Sequence, residues 1–328
     1  MRTLVTGAAG FTGGHLVRYL ADQGDAVRAL VRDRRRSPVA GGFPDGVEVI
    51  EGDLTDTVSV ARAMAGMDVV YNIAARYREA NLTAATYRAV NATAVGAIVE
   101  AAPAAGVRRV VHCSTVGVHG DVEHPPADED APLRPGDVYQ ETKLEGERVG
   151  REAARRAGVE LVIARPTGIY GPGDRRLFKL IGGVARGRFL MLGPGRNYYH
   201  LTYVDDLSAG FRLCGTVPAA AGRVYILAGG EVTTLDELVR IIADVAGVAP
   251  PRWRLPVAPF WLAGAVCEGL CAPFGIEPPI YRRRVDFFRK SRAFDIARAR
   301  AELGFAPTVG LREGIRRTLE WYREQGWV

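Results

Sequence analysis

The chain has 328 residues, 48% of them apolar and 24% charged, with a formal charge of +6 at neutral pH. That length can bury a core in one large or two modest domains, and the composition excludes a disordered or fibrous chain. The basic excess does not indicate a nucleic-acid binder. The arginines are spread out, and the two clusters, Arg32 with Arg34 to Arg36 and Arg282 to Arg284, lack interleaved aromatics or repeats.

Thr3 to Thr6 form a short apolar run that predicts a buried strand. It breaks at Gly7 and opens into a helix through H-L-V-R-Y-L-A-D-Q-G. Gly7, Gly10 and Gly13 fall on the turn. The first permits a tight strand-to-helix turn, the second lets backbone approach a pyrophosphate, and the third lets helix pack on strand. The helix start offers unpaired N–H groups and the positive end of a dipole. A dinucleotide site is expected here, with Phe11 and Thr12 between the glycines as further contacts.

A-V-R-A-L-V-R is a second strand ending at Val31, with Arg32 at its tip. A carboxylate there would hold the adenosine ribose hydroxyls, whereas a guanidinium suits a 2′-phosphate. NADP is therefore the preferred cofactor and NAD the alternative, since Asp33 is one residue away. V-E-V-I is a third strand. Asp53 and Leu54 after it are placed against the adenine, with a cap for the next helix as the other role for Asp53. D-V-V-Y-N-I-A-A is a fourth strand whose small tail, Ala74 and Ala75, allows close approach of a cofactor. Arg76 and Tyr77 open the following loop as substrate-side candidates. A long helix then runs through Y-R-A-V-N-A-T-A-V-G-A-I-V-E-A-A. Asn91 on its apolar side needs a buried backbone partner. V-R-R-V-V-H-C-S-T is a fifth strand ending in the hydroxyls of Ser114 and Thr115. Strands and helices alternating in this way predict an α/β fold, a doubly wound parallel sheet with helices on both faces. Ligands of such sheets sit at the carboxyl ends of the strands.

V-Y-Q-E-T-K-L-E-G-E-R-V is a helix with Tyr139 and Lys143 four residues apart, on one face. A phenol of pKa about 10 is a poor acid or base near neutrality. An ammonium one turn away favours the phenolate. With Thr115, the pair would grip the reacting oxygen of an alcohol or ketone.

In their order, T-G-A-A-G-F-T-G, G-D-L, N-I-A-A, V-N-A-T-A-V-G, S-T-V-G-V-H-G, Y-Q-E-T-K, R-P-T-G-I-Y-G-P-G and Y-V-D-D-L resemble the extended short-chain dehydrogenase/reductases, the NAD-dependent epimerase/dehydratase group. The resemblance implies a Rossmann-type domain over 1–175. A smaller mixed α/β substrate domain follows over 176–328, with segments near 200–230 returning to the first lobe. It makes Thr115 the catalytic hydroxyl with Ser114 beside it, Tyr139 the acid/base and Lys143 its partner and ribose ligand. Pro166 and Thr167, after Arg165, would line the nicotinamide. It also implies a homodimer paired through the tyrosine helix and its neighbour.

Three departures narrow the activity. Sugar-nucleotide dehydratases of the group place Asp-Glu after the catalytic threonine, where this chain has Val116 and Gly117. The 4-epimerases carry an acid at the second strand, where Arg32 stands. Many UDP-sugar members have an arginine where Tyr199 falls, leaving Arg196, or Arg282 or Arg283, to meet a diphosphate. The late segment P-P-I-Y-R-R-R-V-D-F-F-R-K-S-R-A-F-D is similar to 3β-hydroxysteroid dehydrogenase branches. Tyr198, Tyr199 and His200 are candidate pocket residues, or a structural strand edge. The expected activity is hydride transfer between nicotinamide and a secondary alcohol or ketone on a partly apolar, steroid-like ring. Alternatives are a nucleotide-sugar 4-epimerase and, more remotely, a cofactor-binding regulator without catalysis.

Cys113, Cys214, Cys267 and Cys271 read as small buried hydrophobes in a reducing compartment, neither zinc ligands nor disulfides. No metal is expected. The run L-P-V-A-P-F-W-L-A-G-A-V-C-E-G-L-C-A-P-F, with Phe260, Trp261 and Leu262, is too short and interrupted to span a membrane. It reads as a buried helix or an oily substrate wall. With no targeting segment recognised, the expected location is the cytoplasm.

Overall fold

A computed structural model of the chain describes residues 1–35, 42–77, 82–271 and 282–328. The first half alternates strand and helix: β1 (Arg2–Thr6), α1 (Phe11–Asp22), β2 (Ala26–Val31), β3 (Glu48–Glu51), α2 (Thr57–Met64), β4 (Val69–Asn72), α3 (Ala84–Arg88), α4 (Ala94–Ala101), β5 (Arg109–Cys113), α5 (Val138–Ala157) and β6 (Glu160–Pro166). The second half runs β7 (Gly168–Tyr170), α6 (Phe178–Ala185), β8 (Met191–Leu192), β9 (Tyr198–Tyr203), α7 (Val204–Thr216), β10 (Val224–Leu227), β11 (Val232–Thr234), α8 (Leu235–Ala246), β12 (Arg254–Leu255), α9 (Val257–Cys271), α10 (Arg282–Asp286), α11 (Ala297–Leu303) and α12 (Leu311–Glu324).

Seven strands form one sheet in the order β10-β6-β5-β4-β1-β2-β3, and every pairing in it is parallel. Such a sheet must be covered on both faces, and the period of two along each strand sorts its side chains accordingly. Val5, Val27, Ala29, Tyr71, Val111 and Val162 point to one face, where Leu16 and Leu20 of α1 and Leu207 and Phe211 of α7 cover them. Leu4, Leu30, Val70, Val110 and Leu161 point to the other, against α2, α4 and Ala153 of α5. This is a Rossmann-type doubly wound sheet.

The chain after β6 does not stay in one place. α7 packs against α1, and α11 packs against β10. A second core gathers α6, α8 and α12 around β9, with Ile181, Leu238, Ile242, Ile315 and Leu319 at its centre. α8 opens with a full capping box between Thr234 and Glu237. The small sheet β11-β9-β7 borders this core.

Two expectations need correction and a third needs detail. The helix expected around Asn91 runs without a break from Ala84 to Ala101, and within it residues Ala89–Thr93 wind as a π-helical turn between α3 and α4. The apolar run that forms α9 is neither buried nor a substrate wall. Gly264 is its only buried residue, and none of its side chains reaches the cleft described below. Cys113 and Cys214 are buried, but Cys267 and Cys271 on α9 are partly exposed. Arg36 and the side chains of Arg283 and Arg284 lie outside the described residues.

Candidate active site

A cleft of about 840 Å³ runs along the carboxyl ends of the parallel strands. At its floor the chain leaves β1 through Gly7, whose φ is +64° and whose missing Cβ would lie 2.7 Å from the Ala74 Cα. A Cβ on Gly13 would lie 2.2 Å from the Gly7 carbonyl oxygen. Both positions demand glycine, one for backbone conformation and close approach, the other for approach alone. α1 then starts at Gly10 with no side-chain cap and no acid in its first turn. Unmasked N–H groups at a helix start, beside a cradle that any Cβ would fill, fit a dinucleotide diphosphate. Phe11, Thr12, Ala74 and Ala75 border the same cradle.

Arg32 lines the cleft at the tip of β2 and is exposed. Asp33 beside it accepts hydrogen bonds from the Arg35 backbone N–H at 3.0 Å and from its Nε at 3.2 Å. Asp53 accepts from the Thr55 N–H at 2.8 Å and hydroxyl at 2.7 Å. These bonds, helped by the charges of Arg32 and Arg76, hold its carboxyl below the ordinary value. Asp53 thus closes a local turn, and the cap of α2 is Asp56 instead. Leu54 lines the cleft beside it.

The candidate catalytic side chains come together where β5 meets α5. The Lys143 side chain is buried and donates from Nζ to the Cys113 carbonyl oxygen at 2.5 Å. Burial pulls its pKa down, while Glu147 opposes that shift. Thr115 caps a short 3-10 turn, accepting from the Gly117 N–H at 3.0 Å, so its hydroxyl proton remains available to donate. Tyr139, one turn before Lys143, lines the cleft and meets the edge of Tyr77 with ring centroids 4.8 Å apart. Asn91 ties this wall together. Its amide bonds both the N–H and the carbonyl of Arg76, at 2.9 and 3.1 Å, and the Thr142 hydroxyl at 3.1 Å. α5 passes close enough that a Cβ on Gly146 would lie 2.1 Å from the Asn91 carbonyl oxygen.

Ser114 lines the cleft, but its hydroxyl donates inward to Glu147 at 2.5 Å. Glu147 also receives Arg165 in two bonds of 2.9 and 2.7 Å, and Arg165 reaches the Glu129 carbonyl and His119. This buried ion pair escaped the sequence reading, because E-G-E-R looks like ordinary helix surface. The available signal was spacing: Glu147 is four residues beyond Lys143 and eight beyond Tyr139, on the same face.

Pro166 and Thr167, at the end of β6 beside β5, also line the cleft, as do Tyr199, His200, Leu177, Phe287 and Phe294. The Tyr199 hydroxyl donates to the Phe287 carbonyl at 2.9 Å. His200 has both ring nitrogens engaged by backbone, Nε2 with the Gly229 carbonyl at 2.7 Å and Nδ1 with the Phe294 N–H at 3.4 Å. Burial lowers its pKa, so it is a structural histidine rather than a proton relay. The Thr167 and Thr202 hydroxyls bond each other at 2.5 Å. Two cleft cations were not anticipated. Arg176 lies over Phe11 at 5.2 Å and over Tyr77 at 5.9 Å. Arg292 lines the wall with no ion pair among the described residues. Arg196 and Arg282 are not among the cleft residues described, and Arg282 is paired with Glu268 at 2.7 Å.

Residues 3–228 match the model of the NAD dependent epimerase/dehydratase family. The chain is 28% identical to 3beta-hydroxysteroid-dehydrogenase/decarboxylase isoform 1 of Arabidopsis thaliana, over 97% of this chain and 78% of the relative. It is 30% identical to 2-alkyl-3-oxoalkanoate reductase of Stenotrophomonas maltophilia, over 97% of this chain and 98% of the relative. Among solved structures it superposes on dTDP-glucose 4,6-dehydratase from Streptomyces venezuelae, a structure with NAD bound, with a TM-score of 0.78, 28% identity and coverage of 100% and 98%. A glycine cradle at β1, a parallel sheet in this strand order and a family match over most of the chain agree: this is an enzyme of the NAD-dependent epimerase/dehydratase family, the extended short-chain dehydrogenase/reductases.

Proposed function

We propose that the chain is an NAD(P)-dependent oxidoreductase acting on a secondary alcohol or ketone carried by a partly apolar ring, with 3β-hydroxysteroid-like molecules as the substrate class. The observation that carries this reading is one cleft lined both by Thr115, Tyr139 and Lys143 and by the apolar side chains of Leu177, Phe287 and Phe294. A nicotinamide bound there supplies the hydride acceptor or donor. Tyr139 holds the proton exchanged with the substrate oxygen. Lys143 places a positive charge one turn from that phenol and serves as a ribose ligand, and Thr115 donates to the substrate oxygen. Arg32 makes NADP the preferred cofactor, with NAD the alternative. Val116 and Gly117, next to Thr115, carry no group that could remove water, which argues against dehydration. The steroid activity in one relative's name supports this substrate class, and the oxoalkanoate reductase activity in another's supports only the coarser reading, hydride transfer to a ketone on an apolar molecule.

The second reading, a nucleotide-sugar 4-epimerase, is favoured by one observation: Arg292 offers the substrate side a cation without an ion pair among the described residues. Incubation with NADPH, NADP, NADH or NAD and either a 3-ketosteroid/3β-hydroxysteroid pair or a UDP-hexose separates the two. Substrate-dependent change in the absorbance of reduced nicotinamide with the steroid supports the first reading. Interconversion of the sugar with no net absorbance change replaces it with the second.

A further inference from the structure

The apolar helix α9 presents its greasiest face outward. Pro259, Leu262, Ala263, Val266 and Leu270 are all exposed, and at 3.6 residues per turn they share one side. Leu262, Val266 and Leu270 form its ridge, 61%, 54% and 67% exposed, and Trp253 just before the helix is 79% exposed. A helix this apolar belongs in a protein core or in lipid, and a contiguous exposed apolar face marks an interaction surface. α9 packs against α10 rather than into the main cores.

Its polar details suit a bilayer surface. The one charged residue of α9, Glu268, is turned away from the ridge and neutralised by Arg282, whose backbone N–H and Nε both bond it at 2.7 Å. Trp261 lies under two guanidinium groups, Arg282 at 5.6 Å and Arg289 at 5.4 Å. Arg252, Arg282 and Arg289 are exposed around the helix; Arg282 is paired with Glu268 and Arg289 with Asp286 at 3.8 Å, whereas Arg252 makes no ion pair among the described residues. Cations and tryptophans flanking an apolar face match the headgroup layer above a hydrocarbon layer. The helix has 15 residues, roughly 22 Å, short of the ~30 Å hydrocarbon core, and no described helix is long and apolar enough to cross a membrane. We propose that α9 lies in the surface of a bilayer containing anionic lipid, with the Leu262–Val266–Leu270 ridge in the acyl layer, Trp253 and Trp261 at the headgroup level and Arg252 at the phosphates. This goes beyond the proposed reaction and does not depend on it.

The test is vesicle flotation of the full chain with phosphatidylcholine vesicles containing phosphatidylglycerol. The wild type is compared with a Leu262→Ser, Val266→Ser, Leu270→Ser variant. Sedimentation of both proteins without lipid gives the oligomeric state, and thermal melts verify folding. The wild type is expected to float, and the variant to float at least tenfold less while melting at the same temperature. A wild type that stays in the dense fraction overturns the proposal, as does a folded variant that floats equally well. If the wild type is a dimer that the substitutions convert to monomer, the face is a contact between copies and the proposal is wrong. Because all three positions are exposed and outside the cleft, a melt lowered in the variant is answered by the same comparison with single substitutions at Leu262 and Leu270, read by the same flotation criterion.

Discussion

Lys143 donates from Nζ to the carbonyl oxygen of Cys113 at 2.5 Å, so the second turn of α5 is fastened to the last residue of β5. The bond has two consequences. It sets the register between the strand end that carries Thr115 and the helix that carries Tyr139. It also consumes one of three ammonium donors, leaving the others and the positive charge for the cleft. If Lys143 acts on Tyr139 as proposed, replacing it should cause two separable losses, one of structure and one of turnover.

Tyr139→Phe is expected to lower kcat by about 10²–10⁴-fold, the range ascribed to a positioned acid or base. Its dissociation constant for NADP(H), read by fluorescence or calorimetry, should stay near wild type, because the ring remains against Tyr77. Lys143→Met is expected to lose turnover as well. It should in addition be less stable to urea by about 1–3 kcal/mol, since it leaves the buried Cys113 carbonyl without a donor. Full turnover by Tyr139→Phe would remove the phenol from the mechanism.

Arg32→Asp is expected to reverse cofactor preference. A hydrogen bond to a charged group contributes about 1.5–3 kcal/mol, which corresponds to a loss of roughly 10–100-fold in kcat/KM for NADP. The new carboxylate should improve NAD through the ribose hydroxyls. Steady-state kinetics with both cofactors decide this, and an unchanged ratio would show that the 2′ position is read elsewhere.

The parallel sheet and the glycine turn were legible in the chain because they rest on local rules: apolar runs of strand length, and glycines where a Cβ has no room. The tyrosine and lysine were legible because a four-residue spacing defines one helical face. Arg176 and Arg292 were not, since they enter the cleft from loops with no period to place them. The π-helical turn at Asn91 left no period to read, and the bonds of the Asn91 side chain to the Arg76 backbone join it to a loop outside the helix. α9 was misread for a different reason. Apolar content measures how strongly a helix avoids water but does not say whether it is covered by protein, and here Leu262 and Leu270 are not.

Glu147 and Arg165 are each only 3% exposed and pair at 2.7 Å, with Ser114 on the same carboxylate. Removing one partner of a buried pair leaves an uncompensated charge and costs about 3–5 kcal/mol. Glu147→Ala is therefore expected to lower the urea midpoint sharply. Glu147→Gln retains an acceptor for Ser114 and should lose less. A Glu147→Ala protein as stable as wild type would mean that solvent already reaches this pair.

His119 sets a pH limit on the same network. Arg165 donates to its Nε2 at 3.1 Å, and its Nδ1 faces the Pro132 carbonyl at 3.3 Å, an arrangement that suits the neutral ring. Burial first, and then the Arg165 charge, hold its pKa below the ordinary histidine value. In the unfolded chain the ring titrates near 6.5. Between that value and the lower folded one, the unfolded state binds more protons, so stability rises with pH. The contribution is fully present above about pH 6.5 and is lost as pH falls toward the folded pKa, with a slope of at most about 1.4 kcal/mol per pH unit. His119→Gln can still accept from Arg165 but does not titrate. Urea unfolding of the two proteins between about pH 5 and 7.5 should therefore give a flatter profile for the variant, by up to that slope on the acid side. His112 and His200, whose pKa values burial also lowers, are present in both proteins and cancel in the difference. Parallel profiles would mean that His119 is charged, or free to charge, in the folded protein.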